Sequence, residues 1–301
     1  MVIKENGAVN TMEAVKINTK EKERTKVTYH KSVFSSVLTG ITWGAAILAL
    51  AVLVFLVGFI LIRGVKNLTL EQFAWTYNTE NVTMLPAIIN TVTMTVLSLL
   101  LAAPLGIFSA IYLVEYANKR GKLVGLIRIT AETLSGIPSI VYGLFGMLFF
   151  TKTLKMGYSM MSGACTLAIM ILPLIMRTAE EALKSVPDSY REASFGLGAG
   201  KLRTIFKIVL PSAVPGILSG VILATGRVVG ETAALIYTAG TVAQVPKNVL
   251  GSGRTLAIHM YMLSSEGLYM NQAYATAVIL LVLVVAINTL SGVVAKKLTK
   301  A

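Results

Sequence analysis

The chain has 301 residues and a formal net charge of +13, with 55% hydrophobic and only 14% charged residues. Soluble domains carry about 25% charged residues, so together with a mean hydropathy of +0.73 this composition reads as a polytopic membrane protein. The basic excess lies mainly in a tail and in loops, where the positive-inside bias accounts for it without a nucleic acid partner.

Residues 1–40 carry seven Lys or Arg and lack a long apolar run, which predicts a basic cytoplasmic tail. A first span is expected over 41–62, with Trp43 near its start as an interfacial anchor. The linker Arg63 to Leu85 is polar and carries Phe73, Trp75 and Tyr77. A second span is expected over Pro86 to Val114. A short basic loop with Glu115, Lys119, Arg120, Lys122 and Arg128 follows it.

The third span, Ile129 to Phe150, contains Gly136-Ile137-Pro138-Ser139. A break there either exposes backbone and Ser139 to a polar cavity or serves as a packing kink. The fourth span is expected over Met160 to Leu183, the fifth over Pro211 to Tyr237 and the sixth over Ala273 to Ala295. A polar stretch, Thr238 to Gln272, separates the last two. The fold class is therefore all-α with about six transmembrane helices.

Nineteen of the 27 Lys and Arg fall in the tail, the first basic loop, the segment from Lys184 to Lys207 and the C-terminus; six fall in the alternate loops. This asymmetry predicts cytoplasmic termini and a cytoplasmic loop 184–211. No G-x-x-x-x-G-K-[ST] run occurs, so ATP-Mg, if ATP drives the protein, belongs to another chain. No nucleophile–base pair or metal-ligand cluster is visible, and with two His and one Cys neither a catalytic centre nor a metal site is expected. The lone Cys165 excludes a disulfide within the chain.

Ionisable residues inside spans cost at least about 2.5–3.5 kcal/mol and mark pathways or partners. Arg227 and Glu231 stand four apart in the fifth span, which predicts one helical face. Arg227 lies roughly 24 Å along from Pro211, well into the bilayer. Arg177, Glu180 and Glu181 sit near the end of the fourth span, and Glu132 near the start of the third. These groups either pair with one another as staples, or the arginines face a translocation path, where their planar fork suits phosphate or sulfate.

The loop after the fourth span reads as helix, break, helix. Glu192 and Ala193 are expected to open a helical run, glycines at 196, 198 and 200 to interrupt it, and Pro211 to end or kink the resumed apolar run. Its spacing resembles the signature of ABC importer permeases: Glu-Ala-Ala, three residues, Gly, nine residues, Ile-x-Leu-Pro. Glu192, Ala193, Gly198, Ile208, Leu210 and Pro211 match, with Ser194 in place of the second Ala. Gly136 to Gly143 and Arg227 to Ala234 look like the phosphate-specific branch, of PstA type rather than PstC type.

That resemblance covers residues 85–295. It implies a type I (MetI-like) importer fold in a bacterial or archaeal cytoplasmic membrane, with no enzymatic activity of its own. It also implies a second permease (PstC-type), an ATPase dimer (PstB-type) and an extracytoplasmic phosphate-binding protein (PstS-type) as partners. Charged residues matching Arg177, Glu180 and Arg227 would then matter to transport of the cargo, phosphate; Glu231 is added on helix geometry alone. Sulfate or molybdate remains as an alternative cargo, and a channel or proton-coupled carrier as an alternative class. A self-sufficient channel has no need of an ATPase-docking loop.

Overall fold

The structure is a computed structural model that describes residues 33–118 and 121–300. Most of the expected basic tail, and Lys119 and Arg120 of the first basic loop, lie outside the described residues. The chain divides into two compact units after Gly58. In the first, the described residues belong to α1 (Val33–Val65) and expose apolar side chains all round, among them Phe34, Trp43, Ile47 and Phe55. A helix that is apolar on every face and buries none of them suits hydrocarbon rather than water.

The second unit is built around α5 (Met160–Lys184), which packs against α2 (Leu85–Tyr116) and α7 (Lys201–Val229). Its core joins Met94 and Ala102 of α2 to Leu167, Met170, Ile171 and Ile175 of α5 and Ala224 and Val228 of α7. Small residues let these helices approach closely, as is usual where lipid removes the hydrophobic drive. Gly220 of α7 sits against Thr178 of α5, where a Cβ would overlap the hydroxyl. A second cluster, including Leu113, Leu183, Val186, Ile205 and Val209, closes the end of the bundle nearest the signature loop.

Two expected spans are broken. The third is α3 (Lys122–Ser135) and α4 (Ser139–Thr153), bent by 102° at the Gly136–Pro138 break. Proline has no N–H and disfavours helix in the residue before it, so the turn ends at Ser135 and restarts after Pro138. The Tyr142 hydroxyl then donates to the Leu134 carbonyl at 2.7 Å, tying the two arms together. Arg128, read from the sequence as part of a loop, belongs to α3.

The fifth helix differs from expectation at both ends. Pro211 does not end α7, because a π turn over Ile205–Val209 widens the helix just before it. That widening relieves the carbonyl clash and the missing donor that proline brings. At the other end α7 stops at Val229, not Tyr237, and a short α8 (Ala233–Ile236) follows after Gly230. Gly143 of α4 lies against α8, where an added Cβ would come within 2.8 Å of the Ala234 Cα. The two broken elements thus brace each other. The polar stretch before the last helix contains α9 (Leu256–Glu266), and α10 (Met270–Lys300) completes the order. Among the described residues, five helices are long and apolar enough to cross a membrane, or six if α3 and α4 count as one span.

Candidate functional site

Arg227 lies half-buried in the last turn of α7. It lines a cavity of about 540 Å³ with Leu174, Ser219, Ile222, Leu223, Gly226 and Asn288, none of them a carboxylate. Of the two readings open for Arg227, the ion-pair staple with Glu231 is not formed. Because the helix ends at Val229, the i, i+4 geometry lapses between the two. The buried Glu231 carboxylate turns instead to accept from the Ala234 N–H at 3.0 Å, capping α8. Asn288 of α10, not singled out from the sequence, adds a buried Oδ1 without a hydrogen-bond partner beside this cavity.

Arg177 and Glu180 line a second cavity, together with Arg128, Glu132, Glu181 and Lys184. Pro173 and Leu174, consecutive residues of α5, line the second and the first cavity respectively. The mutual pairing of Arg177 with both Glu180 and Glu181 holds only for Glu181. Arg177 Nε lies 3.4 Å from Glu181 and its Nη1 lies 4.0 Å from Glu132, all three exposed. Glu180 is buried and is held by Arg128 and Lys184, each at 2.7 Å. A buried carboxylate requires such partners, and Arg128 supplies one from α3. The break residues Gly136 and Pro138 are exposed and Ser139 is half-buried.

In the signature loop, α6 runs Asp188–Gly196. Glu192 is therefore in its second turn, and the carboxylate at its N-terminal end, where the helix dipole favours one, is Asp188. Glu192 and Ala193 are exposed, whereas Ser194 is buried and shares a 2.8 Å hydrogen bond with Thr204. That bond is what the substitution of the second Ala adds, since it joins α6 to the start of α7. Gly198 has φ +80°, which an L side chain rarely adopts, and so carries the turn. Gly196 is still helical, and Gly200 caps α7 in an extended conformation. Ile208 and Leu210 are half-buried and Pro211 is exposed.

One contact in this region could not be read from spacing. Arg191 donates to Glu115 at the end of α2 at 2.7 Å and 3.1 Å, and also to the carbonyls of Val186 and Leu183. Both side chains are largely buried. The available signal was an acidic residue closing an apolar span and an arginine adjoining the signature Glu192.

At the far end of α2, Arg254 and His259 are buried, and both pack against Tyr77. Burial, then the nearby Arg254 charge, lower the His259 pKa to about 3, against a smaller opposing effect of the Val82 backbone. This imidazole is therefore neutral near pH 7. Among the described residues, no three His, Cys, Asp or Glu come together as a metal site.

Bent and broken helices around one central span, with an amphipathic helix slung beneath, define an importer-permease fold. Solved structures share it: a bacterial alginate ABC transporter chain superposes with a TM-score of 0.62 over 89% of this chain and 95% of that one, at 15% identity. A chain of the MetNI methionine ABC transporter gives 0.54 over 80% and 96%, at 19% identity.

Sequence relatives narrow the class. The probable ABC transporter permease protein YqgI of Bacillus subtilis is 33% identical over 255 residues, covering 79% of this chain and 86% of that protein. Phosphate transport system permease protein PstA 1 of Mycobacterium tuberculosis is 32% identical over 280 residues, covering 89% of each. The model for binding-protein-dependent transport system inner membrane components matches residues 102–300, and the chain belongs to that family. It is a multi-pass inner-membrane protein and a transport component rather than an enzyme.

Proposed function

We propose that this chain is the PstA-type permease subunit of an ATP-driven importer and carries inorganic phosphate. The observation that carries this reading is similarity to a named phosphate permease along 89% of both chains. Arg227 supports it physically. A guanidinium facing a cavity with no carboxylate in its lining can offer two parallel N–H donors to an oxyanion.

In this reading Arg227 meets the anion, and Arg177 with Glu132 and Glu181 forms an exposed charge cluster that exchanges partners as the path opens. Glu180 holds α3 to α5 through Arg128, and Glu231 orders the break after α7. Gly136, Pro138 and Ser139 shape the elbow at the pore wall. Glu192, Ala193, Gly198, Ile208, Leu210 and Pro211 present the loop to the ATPase, where exposed Tyr190, Phe195 and Leu197 offer apolar contact. The partners are a second permease of PstC type, a PstB-type ATPase dimer that holds ATP-Mg, and a PstS-type binding protein. The termini and the α6 loop face the cytoplasm of a bacterium or archaeon.

The test is uptake by the reconstituted complex of labelled phosphate in competition with sulfate and molybdate. Phosphate-selective, ATP-dependent uptake is expected. Preference for another oxyanion would reassign the cargo, and uptake without ATP would remove the importer class.

A further inference from the structure

Arg254 is in an unusual position for a cation. It is 6% exposed, and its Nε and Nη2 are buried without a hydrogen-bond partner. Among the described residues no carboxylate pairs with it, and its guanidinium lies over the face of Tyr77, 4.7 Å from the ring centroid. An unpaired buried charge is costly, and here the fold holds it firmly in place. The Arg254 N–H donates to the Val242 carbonyl at 2.9 Å. The Asn90 side chain donates to the carbonyls of Gln244 and Arg254 at 2.8 and 3.1 Å, pinning the loop to α2. Gly253 packs so tightly on Asn90 that a Cβ would lie 2.7 Å from its amide nitrogen.

Arg254 is among the residues that line a cavity of about 580 Å³. Thr76, Thr241 and Gln244 also line it, and the lining contains no carboxylate and no second cation. Among the residues that line the cavity, Arg254 alone carries a charge. Asn90 and Glu115 are 25 residues apart on α2, which places this cavity roughly 37 Å from the signature-loop end of the bundle. Arg227 and the charge cluster on α5 line other cavities.

We propose that Arg254 is the cation of a separate small-oxyanion subsite at the mouth of the permease opposite the ATPase. There it receives the tetrahedral anion before the anion reaches Arg227. The inference rests on the oxyanion-importer reading above and deepens it. Arg254 supplies the charge and, through Nη1, which is not sealed as Nε and Nη2 are, the N–H donors; the Thr and Gln side chains on the rim supply neutral donors. The missing partner of the guanidinium is the cargo itself. A protein carboxylate would satisfy the same charge, but the cavity has ample room for a hydrated ion and opens beside polar loop residues.

The experiment is thiol protection in the assembled transporter. Thr241→Cys, on the exposed rim, is placed in a Cys165→Ser background, which leaves this chain no other thiol. Its modification by an anionic thiosulfonate is followed with inorganic phosphate, or with chloride at the same ionic strength. Phosphate is expected to slow modification severalfold; Arg254→Gln should abolish the protection and Arg254→Lys should keep part of it. A rate that phosphate leaves unchanged while Arg254 is present overturns the proposal, whether or not the variants assemble. Slowing by docking of the empty binding protein, without a phosphate effect, also overturns it and assigns Arg254 to a protein carboxylate. Phosphate uptake by the unsubstituted complex reports on the cargo separately, so protection without uptake would fail the cargo reading and retain the subsite.

Discussion

Arg227 tests the difference between a charge paired for stability and one kept, as proposed, for the cargo. Had it neutralised Glu231, removing both charges would cost little, because no lone ion would remain. The geometry is otherwise: Glu231 caps α8, and Arg227 opens on a cavity without a carboxylate. Arg227→Gln should therefore abolish most phosphate uptake, and Arg227→Lys should lose much of it, since a point charge does not reproduce the fork. Glu231→Gln added to Arg227→Gln should not restore transport. Glu231→Gln alone should mainly destabilise, by about 1 kcal/mol for a weakened cap. Labelled uptake at matched membrane levels checks the set, and recovery in the double variant would make Arg227 a staple.

At the scale of elements, breaks matter as much as helices. The elbow at Pro138 was legible because proline punctuates a helix by its chemistry, and the signature loop because its anchors keep a fixed separation. The end of α7 was not, since Gly230 inside an apolar run is tolerated in many helices and the contact of α8 with α4 that follows the break has no local pattern. The grouping of Arg254, Tyr77 and His259 was invisible for a different reason. The hydrogen bond that fixes the Arg254 loop joins residues 164 apart, and no local pattern encodes such a contact. The brace between α4 and α8 can be tested directly. A Cβ at Gly143 would press on the Ala234 backbone, whereas one at Gly125 of α3 meets nothing within 4 Å. Gly143→Ala should cost about 1–3 kcal/mol of overpacking. Gly125→Ala should be neutral or stabilise by up to about 1 kcal/mol through helix propensity. Thermal unfolding of the purified complex compares them, and equal midpoints would mean that α4 and α8 are not braced.

For the molecule as a whole, the question is how events at the signature loop reach a cavity lined from α5, α7 and α10. In the proposed orientation, which rests on the charge asymmetry, that loop is cytoplasmic, so a reporter after Lys201 should be cytoplasmic and one within residues 245–255 external; the reverse would overturn the orientation. Given that orientation, α6 needs rigid attachment to the spans, because a docked helix on a slack tether transmits nothing. The structure supplies three attachments: the Ser194–Thr204 bond to α7, the clamp of Arg191 on Glu115 of α2, and the bonds of Arg191 to the carbonyls of Leu183 and Val186 at the end of α5. With α6 held to the three helices that form the core, its displacement should move them together. Arg191→Met should then leave the complex assembled and hydrolysing ATP, but with fewer phosphates moved per ATP. Glu115→Gln should do the same less severely, because it keeps an acceptor for the guanidinium. If the two act through one clamp, the double variant should be no worse than Arg191→Met alone. The ratio of uptake to hydrolysis in proteoliposomes measures this. Uptake and hydrolysis falling in proportion would mean that Arg191 serves docking or folding, and an unchanged ratio in Arg191→Met would place coupling in the Ser194–Thr204 contact alone.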